Sequence, residues 1–234
     1  LFVQVLEMAQ EMKLLTLGTL SLDGTKIKAN ASRHSALSHG RIEPLEIQLK
    51  AEVESLLAQA EQADQSTVPD GMNLPEEIAR RQVRLEAMAA AKVKIEERAK
   101  ARFEKEQAEH EAKLAHRAQK LKESGKKPGG KPPKPPTAGP KAQDQLNLTD
   151  EESRMLPVPG GGFEQAYNAQ AAVDTTSMLI VTLGVTQASN DKEQVLPMLE
   201  QLAALPASLG QVERLLADTG FYSAKNTEAC EARG

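Results

Sequence analysis

Two apolar runs that each close on an aspartate constrain the fold of this chain more than any other feature. The first is Leu20–Asp23, in which the two leucines point to one face of an extended strand and Asp23 to the other. The second is Val212–Asp218, and a glycine follows soon after each aspartate. If the two runs are neighbouring parallel strands, their equivalent ends meet, and the two carboxylates can share a metal ion.

A structural alternative stands beside this interpretation. Asp-Gly after alternating apolar residues is also one of the strongest short-range signals for a hairpin turn. From the residues alone, Asp23 is favoured as a turn residue, and Asp218 fits either role equally well.

The sequence changes character at residue 41, and we predict that residues 41–122 form a helical hairpin or coiled coil. Apolar residues recur there at intervals of three and four. A loop is predicted over residues 64–74. A second helix then starts at Pro75, with Glu76 and Glu77 in its first turn. Its best-packed part is expected over Leu85–Ala99.

Residues 123–146 are predicted to be a flexible linker. Between Lys122 and Lys141 there are six Lys, six Pro and four Gly, with one acidic residue, Glu123. Proline at this density prevents both helix and sheet ladders. The positive charge could follow a DNA backbone, although an inert, solubilising linker is the favoured interpretation.

The remaining parts, residues 1–40 and 147–234, are predicted to build one α/β domain. It opens with a helix whose packed side is Val5, Met8, Met12 and Leu15. Strands over 163–173 and 178–186 form a hairpin, Ser189–Asp191 caps a helix, and Val212–Ala217 is a strand buried on both faces. Asn168 and Gln170 share one strand face, either near a metal site or, as favoured, as polar groups at an edge.

Composition excludes several classes of protein. The net charge of -4 means that any DNA contact must come from local patches. The single Cys230 excludes an internal disulfide framework, fits a reducing cytoplasm, and is expected to be buried in the last helix. No apolar run is long enough to span a membrane.

Five blocks of the sequence together resemble the DDE class of insertion-sequence transposases. In order they are LSLDGTKIKANAS (20–32), NLTDEESRMLP (147–157), GGFEQAYNAQAAVD (161–174), VTQASNDKEQVLPMLEQL (185–202) and LLADTGFYS (215–223). The resemblance implies an α/β fold with a mixed, ribonuclease H-like sheet, incomplete here and interrupted by the long helical-hairpin insertion.

The same resemblance implies metal-dependent DNA cleavage and strand transfer. Asp23 and Asp218 are then the catalytic acids and metal ligands for Mg²⁺ or Mn²⁺, with two ions in the complete protein. Lys26 and Lys28 are candidate contacts to DNA phosphates. The family's third acid, a glutamate on a later helix, has no assigned match here: Glu228 and Glu231 follow Asp218 too closely. We therefore expect a fragment, truncated at both ends and inactive in cleavage.

The expected partners are transposon ends and target DNA, with a homo-oligomer left open, in the nucleoid-associated cytoplasm of a bacterial-type cell. Two alternatives also stay open. One is a non-catalytic coiled-coil interaction module formed by the hairpin. The other is a metal-dependent nuclease of the same fold with no role in transposition.

Overall fold

The computed structural model of the protein describes residues 1–63, 73–126 and 129–233. They form two compact units, each with its own hydrophobic core. The first unit comprises Leu1–Arg33 and the chain from Glu152 onward, and the second is His34–Glu151. Most of the predicted loop over 64–74 lies outside the described residues.

Twelve helices and strands are found in the described residues. In chain order they are α1 (Phe2–Glu11), β1 (Thr19–Lys28), β2 (Ala36–Ser38), α2 (His39–Ala63), α3 (Leu74–Ser124), β3 (Gln145–Asn147), β4 (Arg154–Pro157), β5 (Phe163–Asp174), β6 (Ile180–Thr186), α4 (Val195–Ala203), β7 (Arg214–Ala217) and α5 (Ala224–Glu231).

A five-stranded mixed sheet forms the centre of the first unit. Its strand order is β4-β5-β1-β7, and β6 pairs with β5 beside β4. Strand β5 is antiparallel to β1, β4 and β6, whereas β7 is parallel to β1. The predicted mixed α/β class is confirmed, as is the hairpin between β5 and β6.

The core of the first unit lies on one face of this sheet. Leu20 and Leu22 of β1 are 0% and 1% exposed, as the alternation predicted. They belong to one hydrophobic cluster with Leu6 of α1, Met198 of α4 and Phe221. Because side chains alternate along a strand, burying the two leucines places Asp23 on the opposite face.

Helix α1 forms where it was predicted but packs with a different side. The residues predicted to face the core were Val5, Met8, Met12 and Leu15, and the first three are exposed. Leu6 and Ala9 are buried instead. The helix ends at Glu11 and Lys13 adopts a positive φ of 60°, so Leu15 enters the core from the following segment.

Strand β7 is not buried on both faces, which corrects the prediction for Val212–Ala217. It pairs with β1 alone, at the end of the strand order, and Leu216 is 52% exposed. Leu215 is partly buried against the core. A short apolar run cannot distinguish an edge strand from a central one, because that difference depends on neighbours from elsewhere in the chain.

The predicted caps differ from the observed helix starts in one case. Helix α4 begins at Val195, and its N-cap Gln194 makes no side-chain capping bond, whereas Ser189–Asp191 lies farther upstream. Pro197 falls within the first turn, which tolerates the proline ring. Cys230, predicted to be buried, is exposed on the short helix α5.

The second unit contains the predicted helical hairpin of α2 and α3. Asn73 Oδ1 accepts a hydrogen bond from the Glu76 N–H at 3.4 Å, and Pro75 lies in the first turn of α3. Buried residues of both helices, with Leu37 and Leu146 of the small β2–β3 sheet, form one cluster: Ile42, Leu49, Met88, Ala91 and Ile95. The predicted best-packed part of α3 is thereby confirmed.

The Lys/Pro/Gly-rich segment is extended, as its composition requires, but it packs along α3. Arg117 donates to the carbonyl oxygens of Gly129 and Gly130 at 3.2 Å, and His110 Nε2 lies 3.3 Å from the carbonyl oxygen of Pro133. In a proline-rich segment many backbone carbonyl groups have no partner in a helix or sheet, and guanidinium groups can donate hydrogen bonds to them instead. The interpretation as a linker unable to pack is wrong for these residues.

Within the described residues, no helix is both long enough and apolar enough to cross a membrane.

Candidate functional site

Asp23 and Asp218 follow the last register pair of two parallel strands. Strands β1 and β7 pair from Thr19 with Arg214 to Leu22 with Ala217. Asp23 and Asp218 are each the next residue, and Asp218 keeps an extended backbone with φ -73° and ψ 174°. Neighbouring strands lie about 4.8 Å apart, so the two aspartates are neighbours at the carboxyl end of β7.

Asp23 is not a turn residue, which excludes the hairpin alternative at this position. Strand β1 continues to Lys28 and remains paired with β5, with Asp23 opposite Ala171. Gly24 lies in the strand because there is no room for a side chain. A Cβ at Gly24 would lie 2.4 Å from Gln170 Nε2 and 2.9 Å from Asp191 Oδ1.

A local backbone N–H orients each of the two carboxylates. Asp23 Oδ1 accepts from the Gly24 N–H at 2.7 Å, and Asp218 Oδ1 accepts from the Gly220 N–H at 2.7 Å. In both residues Oδ2 accepts no hydrogen bond from the described part of the chain. Both side chains are exposed, so an oxygen of each faces solvent.

A buried core residue fixes the backbone close to each of the two aspartates. Leu22 precedes Asp23 and is 1% exposed, and Phe221 follows Asp218 in a short 3₁₀ turn and is 3% exposed. Asp218 is the N-cap of that turn. The two acids therefore project from buried anchors on an otherwise open face of the sheet.

No third acid joins the pair in the part of the chain that the structure describes. These residues contain no group of three or more His, Cys, Asp or Glu side chains able to hold a metal ion. Glu228 and Glu231, which were not assigned as the third acid, lie on helix α5.

A partly buried polar cluster, which we call the Asp191 cluster, lies on the opposite side of β1 from Asp23. Asp191 Oδ1 accepts from Asn168 Nδ2 and from Gln170 Nε2, both at 2.7 Å, and it lies 3.8 Å from Lys26 Nζ. Asn168 and Gln170 are 0% and 2% exposed. They are not edge groups, because β5 is a central strand with partners on both sides, and they lie on the opposite face of the sheet from Asp23.

This role of Asp191 was not predicted from the sequence, in which the residue was interpreted only as part of a helix cap. A signal for the cluster was present in the sequence. Gly24 and Lys26 alternate along β1 on the same face as Leu20 and Leu22, and Asn168 and Gln170 alternate in the same way along β5. Gln170 Oε1 stays buried without a partner among the described residues.

The two lysines proposed for DNA contact have different surroundings. The Lys26 side chain is 13% exposed and belongs to the Asp191 cluster, so its burial argues against a phosphate contact. The Lys28 side chain is 70% exposed, and its Nζ lies 3.6 Å from Glu164 Oε1.

The C-terminal part of the chain matches a known protein family. Residues 146–234 match the family model described as "Transposase DDE domain". The resemblance to DDE-class transposases is confirmed. Transposases of this family are DNA-cleaving enzymes, and their DDE domains generally use divalent metal ions. The DDE match includes Asp218, but it includes neither Asp23 nor any part of the helical hairpin.

Searches of curated proteins and of solved structures gave no match to this chain.

Proposed function

We propose that this chain is part of a DDE transposase that cleaves and transfers DNA, with Asp23 and Asp218 as its first two metal-binding acids. The observation that carries the proposal is the parallel register of β1 and β7, which continues directly into the two aspartates. The antiparallel β5–β6 hairpin beside β1, followed by a parallel strand after α4, supports a ribonuclease H-like core.

The donor set fits a hard divalent cation. Exposed carboxylate oxygens are the ligands that Mg²⁺ and Mn²⁺ prefer, and within the described residues no His or Cys completes a larger metal-binding group with them. Mg²⁺ commonly binds through one or two carboxylates and completes its shell with water and phosphate oxygens. Two aspartates therefore suffice for one ion, and a second ion needs another ligand.

The chain's own residues would position the ion and admit the substrate. When bound, such ions activate the attacking oxygen and stabilise the leaving oxygen of a phosphodiester. The Gly24 and Gly220 N–H groups hold the carboxylates in place, so little reorganisation is needed on binding. The acids lie on an open sheet face, which suits a duplex better than a small molecule in a cleft.

We further propose that this chain binds one ion without cleaving DNA. Only two acids converge within the described residues, and phosphoryl transfer by two metals needs ligands for both ions. Glu228 and Glu231 lie on α5, after the turn that follows Asp218, and we assign neither to the site.

The hairpin supports a second candidate function, a non-catalytic interaction module. Its helices have a core separate from that of the sheet, so the hairpin could mediate association between copies of the chain. Loss of self-association on replacing residues 41–141 by a Gly/Ser loop, with no effect of metal in the intact chain, would favour this alternative. If the chain is instead a nuclease without a role in transposition, it should cleave DNA with no preference for particular DNA ends.

Mn²⁺ binding to the purified chain tests the proposed site. Asp23→Asn and Asp218→Asn should each lower the affinity at least about tenfold, since each removes one of two charged ligands. Glu213→Gln is the matched control, because this exposed acid precedes β7 and its loss changes the charge equally. Affinity unchanged in both Asp variants would refute the metal site, and robust Mg²⁺-dependent cleavage by the unaltered chain would refute its inactivity.

A further inference from the structure

Positive charge is concentrated in one segment of this acidic chain. Residues 112–141 contain nine of the 29 Lys and Arg residues and only one of the 33 acidic residues. This segment therefore carries a net charge of about +8, against about -12 on all other residues together. This uneven distribution creates a local positive potential, although the net charge of the whole chain is negative.

The structure gathers this charge into one extended arm. The arm consists of α3 beyond Arg102 and the described residues of 125–144, which we call the returning segment. The base of the arm, before residue 112, carries four Glu and one Lys, so the positive charge lies in its outer part. Residues of α3 that contact α2 lie earlier, as in the ion pair of Arg81 with Glu52. At 1.5 Å per residue, the positively charged part of this helix, from residue 112 to Ser124, is about 18 Å long.

The returning segment is fixed along the helix at both ends of the arm. Arg117 holds Gly129 and Gly130 near the tip, and Arg102 forms a bidentate ion pair with Asp144 at 2.8 Å. Lysines of the helix and of the returning segment therefore lie on one body, and less conformational entropy is lost on binding than for a free tail.

Five lysines of the arm are available to a partner. Lys120, Lys122, Lys126, Lys131 and Lys134 are all exposed. None of them forms an ion pair within the described residues, whereas Lys113 lies 3.6 Å from Glu109.

We propose that this arm binds the phosphate backbone of duplex DNA. The choice of DNA as the polyanion rests on the proposed function, whereas the arm itself is recognised from its charge and geometry. The positively charged outer part of the helix, about 18 Å long, spans about half a turn of B-DNA, whose full turn is about 34–36 Å. Lysine ammonium groups bind phosphates as point charges and do not read sequence, so the arm adds affinity and orientation rather than specificity.

Other polyanions fit the arm less well. It has no aromatic residue after Phe103, so it offers no platform on which single-stranded bases could stack. Its large apolar residues after Phe103 are Leu114 and Leu121, too few for the broad apolar face of a helix that lies in a membrane surface.

The test is a salt titration of binding by the full chain to a duplex of about 30 base pairs, roughly three turns of B-DNA. EDTA is present, so the result does not depend on metal at Asp23 and Asp218. The arm variant changes Lys120, Lys122, Lys126, Lys131 and Lys134 to Gln. The control variant changes Lys50, Lys92, Lys100, Lys192 and Lys225 to Gln, five exposed lysines outside the arm.

The arm variant should bind the duplex at least about tenfold more weakly than the control variant between about 50 and 200 mM salt, and its salt slope should be shallower by about 4. Circular dichroism should show the same helix content in all three proteins. Equal losses in the two variants, or tighter binding to duplex RNA or anionic vesicles than to duplex DNA, would overturn the proposal. Mn²⁺ binding by the arm variant should match that of the unaltered chain, which separates failure of the arm from failure of the metal site.

Discussion

At the scale of single residues, Gly24 determines how close β1 comes to the Asp191 cluster. It lies between Asp23, which faces the open side of the sheet, and the amides of β5 on the covered side. The amide of Gln170 and the carboxylate of Asp191 occupy the space that a side chain would need. Strand β1 therefore carries a candidate metal ligand, Asp23, next to a glycine that leaves room for the polar cluster on the other face.

Gly24→Ala should destabilise the first unit by roughly 1–3 kcal/mol, because the new methyl group displaces Gln170 and Asp191 from their hydrogen bonds. Gly18→Ala is the matched control, since a Cβ at Gly18 would meet no atom within 4 Å and its φ is not positive. Urea denaturation followed by circular dichroism measures both changes. Equal free energies of unfolding for the two variants would show that the Asp191 cluster rearranges around the methyl group without loss of stability.

At the scale of elements, the ion pair of Arg102 with Asp144 joins the end of the returning segment to α3. Asp144 Oδ2 also accepts from the Lys141 N–H at 2.7 Å. The hydrogen bonds from Arg102 hold the pKa of the Asp144 carboxyl below its usual value, and burial opposes this shift. This half-buried ion pair therefore anchors the end of a segment that otherwise lacks a ladder of backbone hydrogen bonds.

Arg102→Gln should free the segment around Gly139 to Asp144 and lower the stability of the second unit by about 1–2 kcal/mol. Because the folded-state pKa of Asp144 is lowered, the stabilisation is fully present above the unfolded value of about 3.9 and is lost as pH falls through the folded value. Limited proteolysis at neutral pH should cut the variant between residues 129 and 144 before the parent. Lys100→Gln, an exposed change on the same helix, should leave the cleavage pattern unaltered.

At the scale of the whole molecule, the two faces of the central sheet differ in how they are covered. One face carries the core of the first unit. The other carries Asp23 together with apolar residues that are 44% to 62% exposed: Ile27, Ile180, Leu183, Val185 and Leu216. The register places these residues on one side, since Leu183 lies opposite Ala171 and Leu216 opposite Ser21. A contiguous apolar face of this kind favours association.

The chain should therefore bind the dye ANS in its folded state, and Leu183→Thr with Val185→Thr should lower that fluorescence by about half without loss of stability. Threonine keeps a high strand propensity while removing apolar surface. Val83→Thr with Val93→Thr removes comparable exposed surface from α3 and should change the fluorescence little. Equal effects of the two pairs would show that the dye does not recognise the sheet face.

The sequence by itself determined the elements whose signals are local. The helical hairpin, the position of Pro75 in the first turn of α3, the hairpin after Asp174 and the burial of Leu20 and Leu22 were all predicted from the sequence. They follow from periodicity and turn chemistry, which act between residues near in sequence. The five blocks that resemble DDE transposases also predicted Asp23 and Asp218 as a catalytic pair, and the register of β1 and β7 supports this pairing.

Only the tertiary structure decided which of several equally spaced residues faces a partner. The packed side of α1, the exposure of β7 and Cys230, the burial of Lys26 and the packing of the proline-rich segment along α3 all depend on groups distant in sequence. Asp191 shows this most clearly: its sequence neighbours indicate a helix cap, yet it bonds two buried amides of β5 and lies 3.8 Å from Lys26 of β1. Hydrogen-bonding demand from buried amides outweighs a local capping preference, because a buried polar group without a partner costs more than a missing cap.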